Sequence, residues 1–125
     1  MRPDRLPLAV RLAAYAAATA VVLYICLAPT DALPDVALDV WDKAEHALTW
    51  AGLVLLGLAF WPRRLLAVSA FALVLGAAIE ALQAGMGAGR QGDPLDFLAD
   101  AVGVAAVVAA ATLLRRRRGR ARDHA

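Results

Sequence analysis

Four stretches of roughly twenty mostly apolar residues leave this chain few ways to fold. A helix needs about 20 residues to cross the hydrocarbon core of a bilayer. In lipid every backbone N–H and C=O must find its partner within the segment, so such stretches become helices. The first runs from Leu8 to Ala28, interrupted only by Arg11, whose long stem lets its guanidinium reach the headgroups. The second runs from about Lys43 to Trp61 and is closed by Pro62, and the third from Leu65 to about Gly85. The fourth runs from Leu95 to Leu114, with Pro94 just before its first turn, where a missing N–H costs little. With 62% apolar and only 19% charged residues, a soluble domain of this size would lack the polar surface to cover itself. The predicted fold is all-α: an integral membrane bundle of four transmembrane helices (8–28, 43–61, 65–85 and 95–114). Together they form a single domain over 1–125, with 115–125 as a basic tail.

The arginines orient the bundle. Arg2, Arg5 and Arg11 precede or open the first helix, Arg63 and Arg64 sit in the second loop, and Arg115–Arg118, Arg120 and Arg122 follow the fourth helix. Of 13 basic residues, only Lys43 and Arg90 lie in or beside the other two loops. The positive-inside rule therefore predicts a multi-pass membrane protein with both termini and the second loop in the cytoplasm. The basic tail directly follows an apolar helix, so it reads as a topogenic anchor touching anionic headgroups and not as a nucleic-acid contact. Pro29 occupies the place where a signal peptidase needs a small residue, so the first helix reads as retained. The single cysteine, Cys26, excludes an internal disulfide and reads as a small buried hydrophobe. Trp41, Trp50, Trp61 and Tyr24 read as membrane anchors or packing residues, and Gly52, Gly57, Gly76 and Gly103 as points of close helix approach.

With this topology the outer face is acidic: Asp31, Asp35, Asp39, Asp42, Glu45, Glu80, Asp93, Asp96 and Asp100 all fall there. Helical spacing sharpens the pattern, because residues three or four apart share a face. Asp42 and His46 form one such pair, Glu80 and Gln83 another, and Asp96, Asp100 and Gly103 a third stripe. Glu80 and Asp100 lie roughly 7 Å inside the ends of their helices, counted at 1.5 Å per residue. A carboxylate at that depth is costly unless it faces protein or water, so the three stripes are expected to meet in one outward-facing polar pocket. Glu80, His46, Asp42 and Asp96 are the candidate catalytic residues. Lys43, Gln83, Arg90 and Asp100 are the candidate binding residues. Most also have a plainer reading: Asp42 or Asp96 as a helix cap, His46 as a satisfied histidine at the bundle rim, Lys43 as glue to a neighbouring carboxylate, Gln83 as an interhelical bond and Arg90 as a solvated charge, while Asp93 reads as a turn residue.

The ordered set Asp42-Lys43-x-x-His46, Glu80-x-x-Gln83, Arg90 and Asp96-x-x-x-Asp100-x-x-Gly103 resembles the VanZ-like family of compact four-helix membrane proteins, over about residues 38 to 114. The family usually carries asparagine where this chain has Asp100, which adds a carboxylate here. The resemblance implies a bacterial cell-envelope protein, the family being named for a member linked to resistance against the glycopeptide antibiotic teicoplanin.

Four functions fit these residues. Lys43 and Arg90 among carboxylates suit recognition of an anionic envelope lipid or a lipid-linked precursor. His46 with Glu80, Asp42 and Asp96 suits an acid–base or metal-assisted hydrolase or transferase. No metal motif is complete, so metal and cofactor stay open. Proton-coupled transport is poorly served, since the inner half carries few polar residues beyond Thr19, Thr49, Ser69 and Thr112. A structural or interaction subunit, its polar cluster serving only helix packing, is the plain alternative. Self-association is compatible with all four.

Overall fold

The computed structural model describes residues 2–28, 39–86 and 92–123, and side chains within these except 39–42 and 122–123. Arg90 and the Asp42 side chain therefore lie outside the described residues. Everything regular among them is helical: a 3-10 turn at Pro3–Arg5, then α1 (Leu8–Leu27), α2 (Asp39–Phe60), α3 (Leu65–Met86) and α4 (Pro94–Asp123).

Helix ends follow local chemistry. Ala28 leaves α1 in an extended conformation, φ −62° and ψ 144°, as expected of a residue that precedes proline. Trp61, before Pro62, likewise stands at the end of α2. At the start of α4, Asp93 accepts a hydrogen bond from the Leu95 N–H at 2.9 Å while Pro94 opens the helix, an ordinary N-cap followed by proline. The helix does not stop at Leu114 but continues through the arginines for 30 residues in all. Arginine and alanine are good helix formers, and the segment meets only Gly119 as a weak point.

Carbonyls at and just beyond the C-terminus of α2 accept from two arginines of the basic end. Arg11 Nη1 donates to the Phe60 carbonyl at 2.9 Å and Arg115 Nη2 to the Pro62 carbonyl at 2.6 Å, so the basic rim also caps a helix.

The core gathers Val22, Cys26, Trp50, Val54, Val68, Ala72, Ile79, Val104 and Val107 from all four helices. Large apolar side chains are also turned outward: Leu66 is 82% exposed and Val74 69%, with Leu12, Leu48, Leu55 and Val102 similarly placed. Apolar surface on that scale marks contact with something other than water. Three helices, α1, α3 and the Pro94–Ala121 part of α4, are long and apolar enough to cross a membrane. The chain is thus an all-helical protein suited to a lipid bilayer. The innermost contact is between α2 and α4, where Gly103 brings the two backbones together: a Cβ there would overlap the Ala47 carbonyl, whose carbon lies 2.8 Å away.

Candidate functional site

The first turns of α2 and α4 lie side by side, which brings Lys43, His46, Asp93, Asp96 and Asp100 into one cluster. The Lys43 ammonium donates to Asp93 Oδ2 at 2.8 Å and to Asp96 Oδ1. Because Asp93 caps α4 with its other oxygen, it is the capping acid of this helix, and Asp96 turns to the lysine. The hydrogen bond from Lys43, helped by the Leu95 amide, holds the Asp93 carboxyl below the usual carboxylate range. A depressed carboxyl contributes stability above its unfolded pKa and loses it as pH falls through the folded value. The Lys43–Asp93 tie is therefore expected to persist through mild acid and to open only below the usual carboxylate range. In a carboxyl-detected NMR titration, Asp93 should show a midpoint below that of an ordinary aspartate, and Lys43→Met should return it toward normal.

One turn deeper, His46 Nδ1 sits 2.9 Å from Asp100 Oδ1, and His46 Nε2 lies 3.8 Å from Asp96 Oδ2. Asp100 is 0% exposed. The pairing assigns the proton to Nδ1, donated to the carboxylate, and leaves Nε2 facing the rest of the cluster. The imidazole stacks on Trp50, with ring centroids 5.9 Å apart and planes 18° from parallel. Trp50 is itself fully buried and donates its indole N–H to the Ala72 carbonyl of α3 at 2.9 Å. Across from it, Gly76 leaves the room that this arrangement needs: a Cβ would come to 2.9 Å from Asp100 Oδ2 and 3.1 Å from Trp50 Nε1.

Glu80 approaches from α3. Both of its carboxylate oxygens are buried and no donor reaches them at hydrogen-bonding geometry, as is also true of Asp100 Oδ2. Gly92 packs tightly on the Glu80 backbone carbonyl, where a Cβ would stand 2.6 Å away, and this draws the start of α4 against α3.

Of the residues singled out in the sequence, Lys43, His46, Asp96 and Asp100 meet, and Glu80 stands beside them. Gln83 turns the other way: it is buried and donates to the Cys26 carbonyl of α1 at 2.7 Å. The backbone of Asp42 lies one turn before His46 in α2. Three participants were not read as part of the pocket: Asp93, Trp50 and Gly76. An Asp-Pro pair opening a helix points to the cap, and Trp50 is four residues from His46, on its face. Nothing in the sequence around Gly76 pairs it with α4. Among the described residues around the cluster, Lys43 stands against the carboxylates of Asp93, Asp96, Asp100 and Glu80. Among the described residues, no group of three or more His, Cys, Asp or Glu side chains is arranged to hold a metal ion.

No family model, curated protein or solved structure matches this chain.

Proposed function

We propose that this chain is a bacterial cytoplasmic-membrane protein of the VanZ-like type. In this reading it spans the bilayer four times with α2 as the fourth span, keeps both termini in the cytoplasm, and opens its polar cluster outward. There it processes the headgroup of an envelope lipid or lipid-linked precursor by proton transfer. The observation that carries the reading is His46 held by the fully buried Asp100 beside Glu80, whose carboxylate oxygens are buried without partners. A carboxylate that holds an imidazole through Nδ1 orients the ring to take a proton from an attacking water as the water's oxygen bonds to the headgroup's ester centre. Glu80, in its protonated form beside the same point, gives a proton to the oxygen that departs as the old ester bond breaks. Lys43 is already neutralised by Asp93 and Asp96. The excess of carboxylates favours a hydroxyl-rich or amine-bearing headgroup over a bare phosphate.

The purified protein, reconstituted in vesicles with labelled lipid-linked glycan precursor or phospholipid, should alter the headgroup. His46→Gln should slow that turnover by about 10²- to 10⁴-fold, the usual worth of a positioned acid or base. Undiminished turnover in His46→Gln would reject the base, and reporter fusions placing position 90 in the cytosol would reject the orientation.

A packing-only role has support from Trp50 and Gln83, each of which bonds a backbone carbonyl of a neighbouring helix. It accounts for those two residues and for Lys43. It leaves Glu80 and Asp100 Oδ2 as buried oxygens that cost stability and return none. In that role wild type would show no turnover and His46→Gln would only lower stability.

A further inference from the structure

At the other end of α2 the bundle carries a second feature that the polar cluster does not use. Tyr15 of α1, Trp61 at the end of α2, and Arg64, Ala67, Val68 and Phe71 at the start of α3 line a groove of about 390 Å³. Its walls are aromatic and mutually braced. Tyr15 meets Trp61 edge-on at 5.5 Å and Phe71 at 5.7 Å, and the Arg11 guanidinium lies over the Trp61 ring at 5.7 Å. The groove is therefore preformed and does not depend on a ligand to shape it.

Its chemistry is split along its length. Along α3 beyond Arg64 its lining is apolar, made of Ala67, Val68 and Phe71 over the next two turns. The end before α3 is basic: Arg64 lines the groove there, Arg63 is adjacent and exposed, and Arg11 and Arg115 reach the carbonyls of Phe60 and Pro62 nearby. From Leu65 to Phe71 the helix rises roughly 9 Å, enough to carry an acyl chain from the headgroup level into the hydrocarbon depth. An apolar slot of ligand size with cations only at its rim is complementary to one molecule class in a bilayer, an anionic glycerophospholipid.

We propose that this groove is a binding site for a single anionic phospholipid, with its acyl chain along Ala67 and Phe71 and its phosphate at Arg64. The site is distinct from the polar cluster and does not depend on the function assigned there.

The test uses the full-length purified protein in detergent, titrated with dioleoyl-phosphatidylglycerol or dioleoyl-phosphatidylcholine and followed by native mass spectrometry. Circular dichroism shows that each variant keeps its helix content. Wild type should bind one phosphatidylglycerol at least about fivefold more tightly than phosphatidylcholine, on the order of one arginine's attraction to an anionic headgroup. Arg64→Gln should erase most of that preference, whereas Arg63→Gln, outside the groove, should keep it. Ala67→Trp, which fills the slot, should weaken both lipids, and soluble glycerol 3-phosphate should displace neither. Equal binding of the two lipids to wild type would overturn the proposal. So would Arg63→Gln acting like Arg64→Gln, or unchanged binding in Ala67→Trp. Competition by glycerol 3-phosphate would show capture of the headgroup alone and also overturn it. A dimer that Ala67→Trp dissociates would give the groove to a second copy, with the same result.

Discussion

Gly103→Ala is expected to unseat α4 from α2 and cost about 3 kcal/mol, at the upper end of what overpacking does. The added Cβ would overlap the Ala47 carbonyl, with that group's carbon at 2.8 Å and the Ala47 Cα at 3.1 Å. These are backbone atoms within a helix, so no side chain can rotate to make room. The only relief is to move one helix away from the other, and that movement pulls Lys43 from Asp93 and Asp96 and His46 from Asp100. Gly52, on the same helix α2, provides the control, because a Cβ there meets nothing within 4 Å. Gly52→Ala should be neutral or stabilising by up to about 1 kcal/mol through helix propensity alone. A detergent-unfolding titration of the two variants should separate them clearly. Equal midpoints would mean that the α2–α4 contact is looser than described here.

Trp50→Ala should be nearly as damaging, at roughly 3 kcal/mol, the lower end of the range for emptying a large buried aromatic site. Trp50 is 0% exposed, joins α2 to α3 through the Ala72 carbonyl, and supports the His46 ring from behind. The loss stays at the lower end because helix association in lipid gains little from removing apolar surface from water. What the substitution loses is van der Waals contact around the vacated volume and one interhelical hydrogen bond. Trp50→Phe should recover most of the packing but leave the Ala72 carbonyl without its donor, so its midpoint should fall between wild type and Trp50→Ala. The same series bears on His46. If the stack positions the imidazole, the His46 ring signals in an NMR spectrum should shift in Trp50→Ala and largely return in Trp50→Phe.

Much of this architecture was legible before any coordinates. Long apolar runs, ended at Ala28 and Trp61 by the prolines that follow them, already separate the helices, because backbone satisfaction in lipid permits little else. Periodicity also placed His46, Asp96 and Asp100 correctly on their own helix faces, since spacing along a helix is a local property. The end of α4 was less legible: arginine marks a membrane boundary in sequence, yet it is also a good helix former, so the charge change at Arg115 signals the edge of the lipid and not the end of the helix.

Pairings between helices were another matter. Gln83 shares a face with Glu80 by spacing, but the two side chains part company, one toward the Cys26 carbonyl and the other toward the carboxylate cluster. A periodic pattern says which residues neighbour each other on one helix and nothing about which helix each will meet. Asp93, read as a turn residue, became both a helix cap and the partner of Lys43, because only the approach of α2 brings the lysine within reach.

The sequence by itself determined that the chain is helical, where α1 and α3 run and where α2 ends, and which end of each helix carries ionisable groups, for these follow from hydrophobicity and short-range backbone chemistry. Tertiary structure alone decided that Gly103 touches Ala47, that Gly76 makes room for Asp100 and Trp50, and that Lys43 spends its charge on two aspartates. Those outcomes depend on how close two helices lie and how each is rotated about its axis, quantities set by packing across the whole bundle.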